Sequence, residues 1–480
     1  VAVRANANFP RSELAKTFSD AGAAPLSSAI TIASENLLLI RRRPEITFSP
    51  ADAMKTAAPV EAVFPVFDVN GDKAIVVDRL VIGFEDGADR DGVARDHSLT
   101  LVRSAETYAI FKMPPASRFN DLAAQIERAP GVRYVEPDFV LLTSLSPLRA
   151  SLKSPPTEIA APSGQYAAEI TKADRVWSRM QGDRAIRIAV LDLGVDTRHP
   201  DLRGGVTATY DATDGDSYQE PHFFDSHGTN CAGLACAFPA AEGGMRGIGG
   251  GCALLAVRIG TGVEGTSYMN TSPSIQADGV RWARMRGADI ISCSWGGRAP
   301  ANVLTDEIDE AAAAGRNGKG CVILFAAGNA GQPVSYPANL SAVICVSASN
   351  QFDEAKTFHS RDNERWSSNY GREVTLAAPG VENRTTDNVG GDGASPSDYY
   401  DVFNGTSSST PIVAGACGLI LSVNPDLTAA DVRNILQQTA DKVGQFPYTG
   451  SRNDRMGYGR LNVEAAVDEA RRRAAPAPFA

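Results

Sequence analysis

One stretch constrains this chain more than any other. Asn404-Gly405-Thr406-Ser407-Ser408-Ser409-Thr410-Pro411 runs straight into Ile412-Val413-Ala414-Gly415-Ala416-Cys417-Gly418-Leu419-Ile420-Leu421. The pattern predicts a Gly-Thr turn that delivers a serine to the first turn of a buried helix. Ala414, Gly415, Ala416 and Gly418 let such a helix lie close to neighbouring backbone. Pro411 is expected among the early helical positions, where a missing N–H costs nothing. A serine at a helix N-terminus keeps an unpaired backbone N–H and sits where the helix dipole favours negative charge. Both suit an oxyanion formed when the hydroxyl attacks a carbonyl. Taken alone, the same run reads more readily as a capping serine ahead of a core helix.

The company this serine keeps decides between the two. A nucleophilic serine needs a base, and the base needs a group to orient it. Upstream stand Asp225-Ser226-His227-Gly228-Thr229-Asn230-Cys231-Ala232-Gly233 and Ile188-Ala189-Val190-Leu191-Asp192-Leu193-Gly194-Val195-Asp196, followed by His199-Pro200-Asp201-Leu202. A fourth segment is Phe325-Ala326-Ala327-Gly328-Asn329-Ala330-Gly331. Of the five histidines, His227 alone stands in a Gly-Thr turn entering a small-residue helix. Together, in this order, the segments resemble the Asp, His, Asn and Ser motifs of the subtilisin-like serine proteases.

The resemblance implies an α/β fold: a mostly parallel-sheet subtilisin-like catalytic domain preceded by a small α+β propeptide domain. It implies a serine endopeptidase with Ser407 as nucleophile, His227 as general base and Asp192 as its orienting carboxylate. Asn329 and the Ser407 N–H would form the oxyanion hole. Leu193 replaces the family's small hydroxyl residue, so another donor or water is expected at Asp192. Asp196 aligns with a different family position. Ser294, Trp295 and Gly296 match the substrate-binding strand, with Trp295 expected to shape an apolar subsite. Ala327 and Gly328 are further expected substrate-binding positions. Tyr336-Pro337-Ala338 matches the wall of the primary specificity pocket with Ser335 at its base, and the neutral Ser335 argues against strict selection for basic side chains. No cofactor is expected for the chemistry. Calcium is the structural ion the family suggests, with Asp201 as a ligand, while the acidic loop Asp211, Asp214, Asp216 and Glu220 reads as solvated charge or as an oxygen-rich second place for calcium. The 238–244 loop lacks the asparagine that would complete the Asp201 site, so only modest calcium binding is expected. The sedolisin group shares the fold but has Glu in place of His, and a catalytically silent scaffold is the reading from another class. The complete Asp-His-Ser set with Asn329 argues against both.

Length and charge bound the rest. A chain of 480 residues accommodates one to three domains. The formal net charge of −10 argues against nucleic acid as the main partner, since phosphate binding needs a basic face. No apolar run approaches the ~20 residues of a membrane-spanning helix. The opening Val1-Ala2-Val3-Arg4 shows no signal-peptide h-region and no initiator Met. The family favours a secreted or periplasmic location. Seven cysteines, an odd number, mostly within apolar runs and with no CxxC pair, read as buried free thiols rather than a zinc site.

In chain order, residues 1–78 form an N-terminal extension with no assigned chemistry. Within it, Val63 to Asp72 reads as a strand closed by an Asn70-Gly71 turn, and Arg41-Arg42-Arg43 as a solvated edge or a protease-sensitive site. Residues 79–143 alternate strand, strand, helix, strand and close on Arg133-Tyr134-Val135-Glu136-Pro137-Asp138-Phe139-Val140, which resembles the family's propeptide, an intramolecular inhibitor. Residues 144–164 are a Ser-, Pro- and Ala-rich linker, 165–470 the catalytic domain, and 471–480 a tail. Polypeptides are the expected substrates. The propeptide-like module is expected to run its exit strand through the substrate groove along Ser294–Gly296, with Leu141 and Leu142 in apolar subsites against Trp295, and to be cut within residues 142–150.

Overall fold

The computed structural model describes residues 2–5, 29–32, 36–39, 60–69, 72–115, 117–145, 164–297 and 299–474. The tri-arginine, the Asn70-Gly71 turn, the linker from 146 to 163 and the tail from 475 lie outside them. The chain forms two units, Val1–Thr143 with Val263–Ser274, and Ser144–Gly262 with Ile275–Ala480.

In the first unit, residues 79–137 build a four-stranded antiparallel sheet. Its order is Val132–Pro137, Arg79–Phe84, Tyr108–Lys112, Thr100–Ser104. Leu80, Ile82, Phe84 and Phe111 point to one face and pack with Leu122 and Ile126 of the helix Phe119–Ile126. A second helix, Arg90–Asp96, is capped by the Asp89 carboxylate and precedes the strand Thr100–Ser104. It has no place in the expected strand, strand, helix, strand order. Seven residues with one buried side chain, Val93, are too short and too polar to show a helical period.

The described residues before 79 also form strands. Ala2–Ala5 pairs on one side with Leu37–Leu39 and on the other with Val60–Phe64. The single strand expected from Val63 onward is two, Val60–Phe64 and Val66–Val69, in different sheets with Pro65 between them. Val140–Ser144 lies beside Asp72–Ile75, and Leu142 is fully buried with Ile75, Val77 and Val140. This corrects the expectation for the exit strand. Leu142 belongs to a hydrophobic core and is unavailable to a substrate subsite.

The second unit is built on a seven-stranded parallel sheet. Its order is Val206–Asp211, Ala253–Arg258, Arg187–Asp192, Ile290–Cys293, Val322–Ala326, Ile344–Ser349, Val374–Pro379. Apart from the edge strand Val206–Asp211, which is largely half-buried, the strands are buried on both faces, which is why they read as unbroken apolar runs. Arg187–Asp192 comes first in sequence but third in space. The chain goes to one side for two strands and then to the other, so the strand order reverses there. In open α/β sheets such a reversal opens a crevice at the carboxyl ends of the strands. One face is covered by the helices His227–Cys236, Thr406–Val423, Ala429–Thr439 and Val463–Arg473. On the other, the helix Pro273–Met285 brings Gly279 against Ile259, Leu191 and Val257.

The helix Thr406–Val423 is the axis of this core. It is long and apolar enough to cross a membrane, yet 89% of it is buried inside the fold, as a core helix should be. A Cβ on Gly415 would lie 2.6 Å from the Gly249 nitrogen and 2.9 Å from the Ala235 carbonyl, so this helix touches backbone where its small residues predicted. Pro411 is the sixth residue of the helix, deeper than the early position expected for it. All seven cysteines are buried and unpaired.

Candidate active site

Asp192 ends the strand Arg187–Asp192 at the reversal point and is 1% exposed. Its Oδ1 accepts the Leu193 backbone N–H at 2.8 Å. The donor missing from the Leu193 side chain is thus supplied by the main chain of the same residue. The turn that follows needs glycine. Gly194 has φ +98°, and a Cβ on Gly228 would stand 2.0 Å from the Gly194 carbonyl.

That close approach seats the first turn of the helix His227–Cys236 on the end of the strand. His227 Nδ1 lies 2.8 and 3.0 Å from the two Asp192 oxygens, and facing a carboxylate it is the donor. Phe403 meets the imidazole edge-on at 5.5 Å. Burial alone would lower the His227 pKa, but the Asp192 carboxylate outweighs it and holds the group well above its ordinary value. Nε2 is buried and has no hydrogen-bond partner among the described residues. One turn on, the Cys231 Sγ stands 3.9 Å from Nδ1. Asp192, His227 and Cys231 place three potential metal ligands within 4.8 Å. Burial raises the Cys231 pKa and keeps the thiol protonated, whereas a metal takes a thiolate.

Ser407 is the second residue of its helix. Pro411 has no N–H to give the carbonyl four residues back, so the Ser407 carbonyl accepts the Ser294 hydroxyl at 2.9 Å and the Cys231 thiol at 3.5 Å. The Ser407 hydroxyl lies 3.0 Å from the Ser294 carbonyl and 3.1 Å from the carbonyl of Leu145. It has one proton to donate, and its partners here are carbonyls, while His227 Nε2 stays unpaired.

Asn329 follows Gly328, whose φ of +103° turns the chain out of the strand Val322–Ala326. The Asn329 Oδ1 accepts the Thr406 N–H at 2.8 Å and the Thr406 hydroxyl at 3.0 Å. With the oxygen so occupied, the amide nitrogen is the end left for another acceptor. As the second helical residue, Ser407 has an N–H with no acceptor within its own helix. Thr406 also accepts the Gly328 N–H at 3.1 Å. Sequence reasoning passed over Thr406 as part of a Gly-Thr turn.

The remaining expected positions divide. Ser294 is buried against the Ser407 backbone. Gly296 is half-buried, with the Tyr336 carbonyl 3.7 Å from where its Cβ would be. Trp295 is a correction. It is 2% exposed, donates from its indole N–H to the Leu191 carbonyl at 2.8 Å and stacks edge-on against Phe325 at 4.9 Å. It is core behind the strand and shapes no subsite. The N–H groups of Ala327 and Gly328 are spent on Val346 and Thr406. Ser335 is half-buried next to Tyr336, whose hydroxyl is tied to the Ala301 carbonyl at 2.9 Å. Asp196 stands apart from Asp192. It pairs with Arg198 and accepts the Val389 N–H.

Asp201 does not fit a calcium ion. Its Oδ1 accepts the Ala240 N–H at 2.9 Å, and its Oδ2 accepts the Met245 N–H at 2.7 Å and the Tyr399 hydroxyl at 2.8 Å. Three hydrogens point where a cation would sit, whereas calcium takes oxygen ligands. Burial and the Asp201 carboxylate push the Tyr399 pKa up to about 12, so the hydroxyl stays a donor. In the acidic loop three of the four carboxylates have protein donors, and the fourth, Asp214, is exposed and 3.8 Å from Arg258. Asp211 takes the buried Arg258 guanidinium and Thr213, Asp216 takes the Tyr218 N–H, and Glu220 takes Thr197.

The model of the subtilase family matches residues 183–459. The chain belongs to that family. This subtilase is 34% identical to thermitase of Thermoactinomyces vulgaris over 64% of its own length and 96% of thermitase. It is 29% identical to subtilisin E of Bacillus subtilis over 81% of its length and 90% of that protein. It is 33% identical to the calcium-dependent protease of Nostoc sp. over 62% of its length and 48% of that protein, so it spans about half of that relative. Among solved structures, fervidolysin of Fervidobacterium pennivorans, a keratinolytic enzyme related to subtilisin, superposes with a TM-score of 0.65. The match is 22% identical and covers 84% of this chain and 62% of that one, which speaks to the fold.

Proposed function

We propose that this subtilase is a serine endopeptidase that first cuts its own chain. One observation carries the reading: the Leu145 carbonyl lies 3.1 Å from the Ser407 hydroxyl, in a site where His227 already bonds Asp192. A main-chain carbonyl against the nucleophile is the pose of a peptide about to be cut. For catalysis the Ser407 hydroxyl must leave its carbonyl partners for the unpaired His227 Nε2. The oxygen then attacks the Leu145 carbonyl carbon while Nε2 takes its proton. The oxyanion is met by the Ser407 N–H and the Asn329 amide. The intermediate collapses, the C–N bond to residue 146 breaks, and His227 returns the proton to the leaving amine. Water, deprotonated by the same imidazole, releases Leu145 as a carboxylate. The steps need no cofactor. Residues 79–143 then act as a propeptide that inhibits the site until degraded, the substrates are polypeptides, and the working compartment is secreted or periplasmic, all three by family analogy.

The test is to express the wild-type chain beside Ser407→Ala. A fluorophosphonate should label the wild type alone. Sequencing should find a new N-terminus at Ser146 in the wild type alone. Turnover of a peptide substrate should fall on the order of 10⁴-fold or more in Ser407→Ala or His227→Ala, since the triad acts as a unit. Equal processing of both chains would assign the cut to another protease. Near-normal turnover in Ser407→Ala would end the endopeptidase reading.

A further inference from the structure

We propose that Asn369 is a positioning residue of the oxyanion site, acting through Asn329. The inference rests on the endopeptidase reading above and extends it to a residue outside the four motifs.

Asn329 sits in a loop whose backbone bonds largely to other segments. The chain leaves the strand at Ala326, turns at Gly328 through a positive φ, and runs to Gln332 without regular structure. Backbone groups in such a loop need partners from elsewhere. Asn369, 3% exposed, supplies three of them. Its N–H donates to the Gly328 carbonyl at 2.8 Å. Its Oδ1 accepts the Ala330 N–H at 3.1 Å and the Gln332 N–H at 3.0 Å. One residue therefore grips the chain on both sides of Asn329. Its Nδ2 also fills the space over Gly328, where a Cβ would stand 2.4 Å away.

Thr406 completes the hold by fixing the Asn329 amide oxygen. Side chain and main chain are thus set by two different residues. Thr406 belongs to the helix of the nucleophile, and Asn369 to a segment running beside the loop. That segment is itself anchored. Gly331 donates to the Ser367 carbonyl at 2.9 Å, and Tyr370 donates to the Gln332 carbonyl at 3.0 Å. Ser368 donates to the carbonyl of Lys356, whose ammonium is fully buried among the Thr357 and Glu364 carbonyls, the Ser360 hydroxyl and the Asp362 carboxylate. An oxyanion donor works by being in place before charge develops, and displacement of a donor weakens it steeply.

The test is a double-mutant cycle on peptide hydrolysis, with active sites counted by fluorophosphonate titration. Asn329→Ala should lower kcat by about 10²-fold, the usual loss for one oxyanion donor. Asn369→Ala should lower kcat by about tenfold or more with KM nearly unchanged. Combined with Asn329→Ala, it should cost less than about threefold further, because a residue acting through another has nothing left to position. Asn369→Ser, whose hydroxyl can still take one amide, should fall between wild type and alanine. It carries the same cycle if the alanine variant does not fold. An equal loss of kcat in both backgrounds would show a general structural role and overturn the proposal. So would a change confined to KM, or unchanged kcat in Asn369→Ala while Asn329→Ala is impaired. Unchanged kcat in Asn329→Ala would instead remove the oxyanion assignment, and this inference with it.

Discussion

Pro411 stands four residues after Ser407 in one helix, and the helical bond it cannot make is replaced by the Ser294 hydroxyl, 2.9 Å from the Ser407 carbonyl. The main chain of the proposed nucleophile is thereby tied to the residue that follows the strand Ile290–Cys293. Ser294→Ala should leave that buried carbonyl with only the weak Cys231 thiol at 3.5 Å. The expected cost is about 1–2 kcal/mol, the range for a buried acceptor losing its donor. Denaturant midpoints of the inactive Ser407→Ala protein, with and without the second change, measure it free of self-digestion. A shift near zero would mean that water replaces the hydroxyl.

How much of this was legible depends on the range of the force involved. The buried parallel strands announced themselves as apolar runs, and Asp192 was placed by its position directly after one. The Gly-Thr turns before small-residue helices put His227 and Ser407 at helix starts, because that signal is local. The inward direction of Trp295 is not legible, because a strand buried on both faces has no polar alternation to show which way a side chain points. Pro411 was placed too early because nothing in the run marks where the first turn begins. The bonds from Thr406 and Asn369 to the Asn329 loop join residues 77–78 and 37–41 positions apart. No sequence period reports such contacts.

The pH dependence of hydrolysis should follow His227. The imidazole must be neutral to accept the serine proton, and the Asp192 carboxylate holds its pKa well above the ordinary value. Activity should therefore rise with pH, with the midpoint of the acid limb in kcat/KM above ~6.5. Asp192→Asn removes the charge that favours the imidazolium. The midpoint should fall relative to wild type, and the plateau should drop by about 10⁴-fold as the tautomer is lost. An unmoved midpoint would show that a different group sets the limb.

Asp225 gives a second pH signature, in stability. Burial pushes its carboxyl up to about 6, against the Gly262 N–H that favours the anion at 2.8 Å. The folded state then binds a proton that the unfolded chain, titrating near ~4, has already released. The fold loses stability as pH rises from about 4 to about 6, and the loss stays constant above that. Asp225→Asn keeps an acceptor for Gly262 without the charge. It should be more stable than the parent at pH 8 by on the order of 2–3 kcal/mol, with the gap closing toward pH 4. Melting curves of Ser407→Ala chains across that range decide it. A gap independent of pH would contradict the assignment.

Calcium removal should change little through Asp201 or Asp211. A ligand that binds only the folded state raises stability by RT ln(1 + [L]/Kd), so a tight site must appear in the melting temperature. The three donors on Asp201 and the Arg258 guanidinium on Asp211 already satisfy those carboxylates. Asp201→Ala should lower the melting temperature equally with calcium and with chelator, since it strands protein donors rather than releasing an ion. A chelator shift that disappears in Asp201→Ala would restore the calcium site.

The position of the self-cut should follow Leu145. Its carbonyl is the one at Ser407, and its side chain is only 6% exposed. An aspartate there would have to bury a charge, and the Ser335 expected at the pocket base carries none to pair with it. An uncompensated buried polar group costs about 2–3 kcal/mol or more, which corresponds to slowing of about 10²-fold. Leu145→Asp should therefore delay processing or move the new N-terminus away from Ser146, while Leu145→Met should leave both unchanged. Turnover of an added peptide by the matured protein should be the same for all three, because Leu145 leaves with the cut segment. Unaltered processing of Leu145→Asp at Ser146 would show that this side chain does not select the bond.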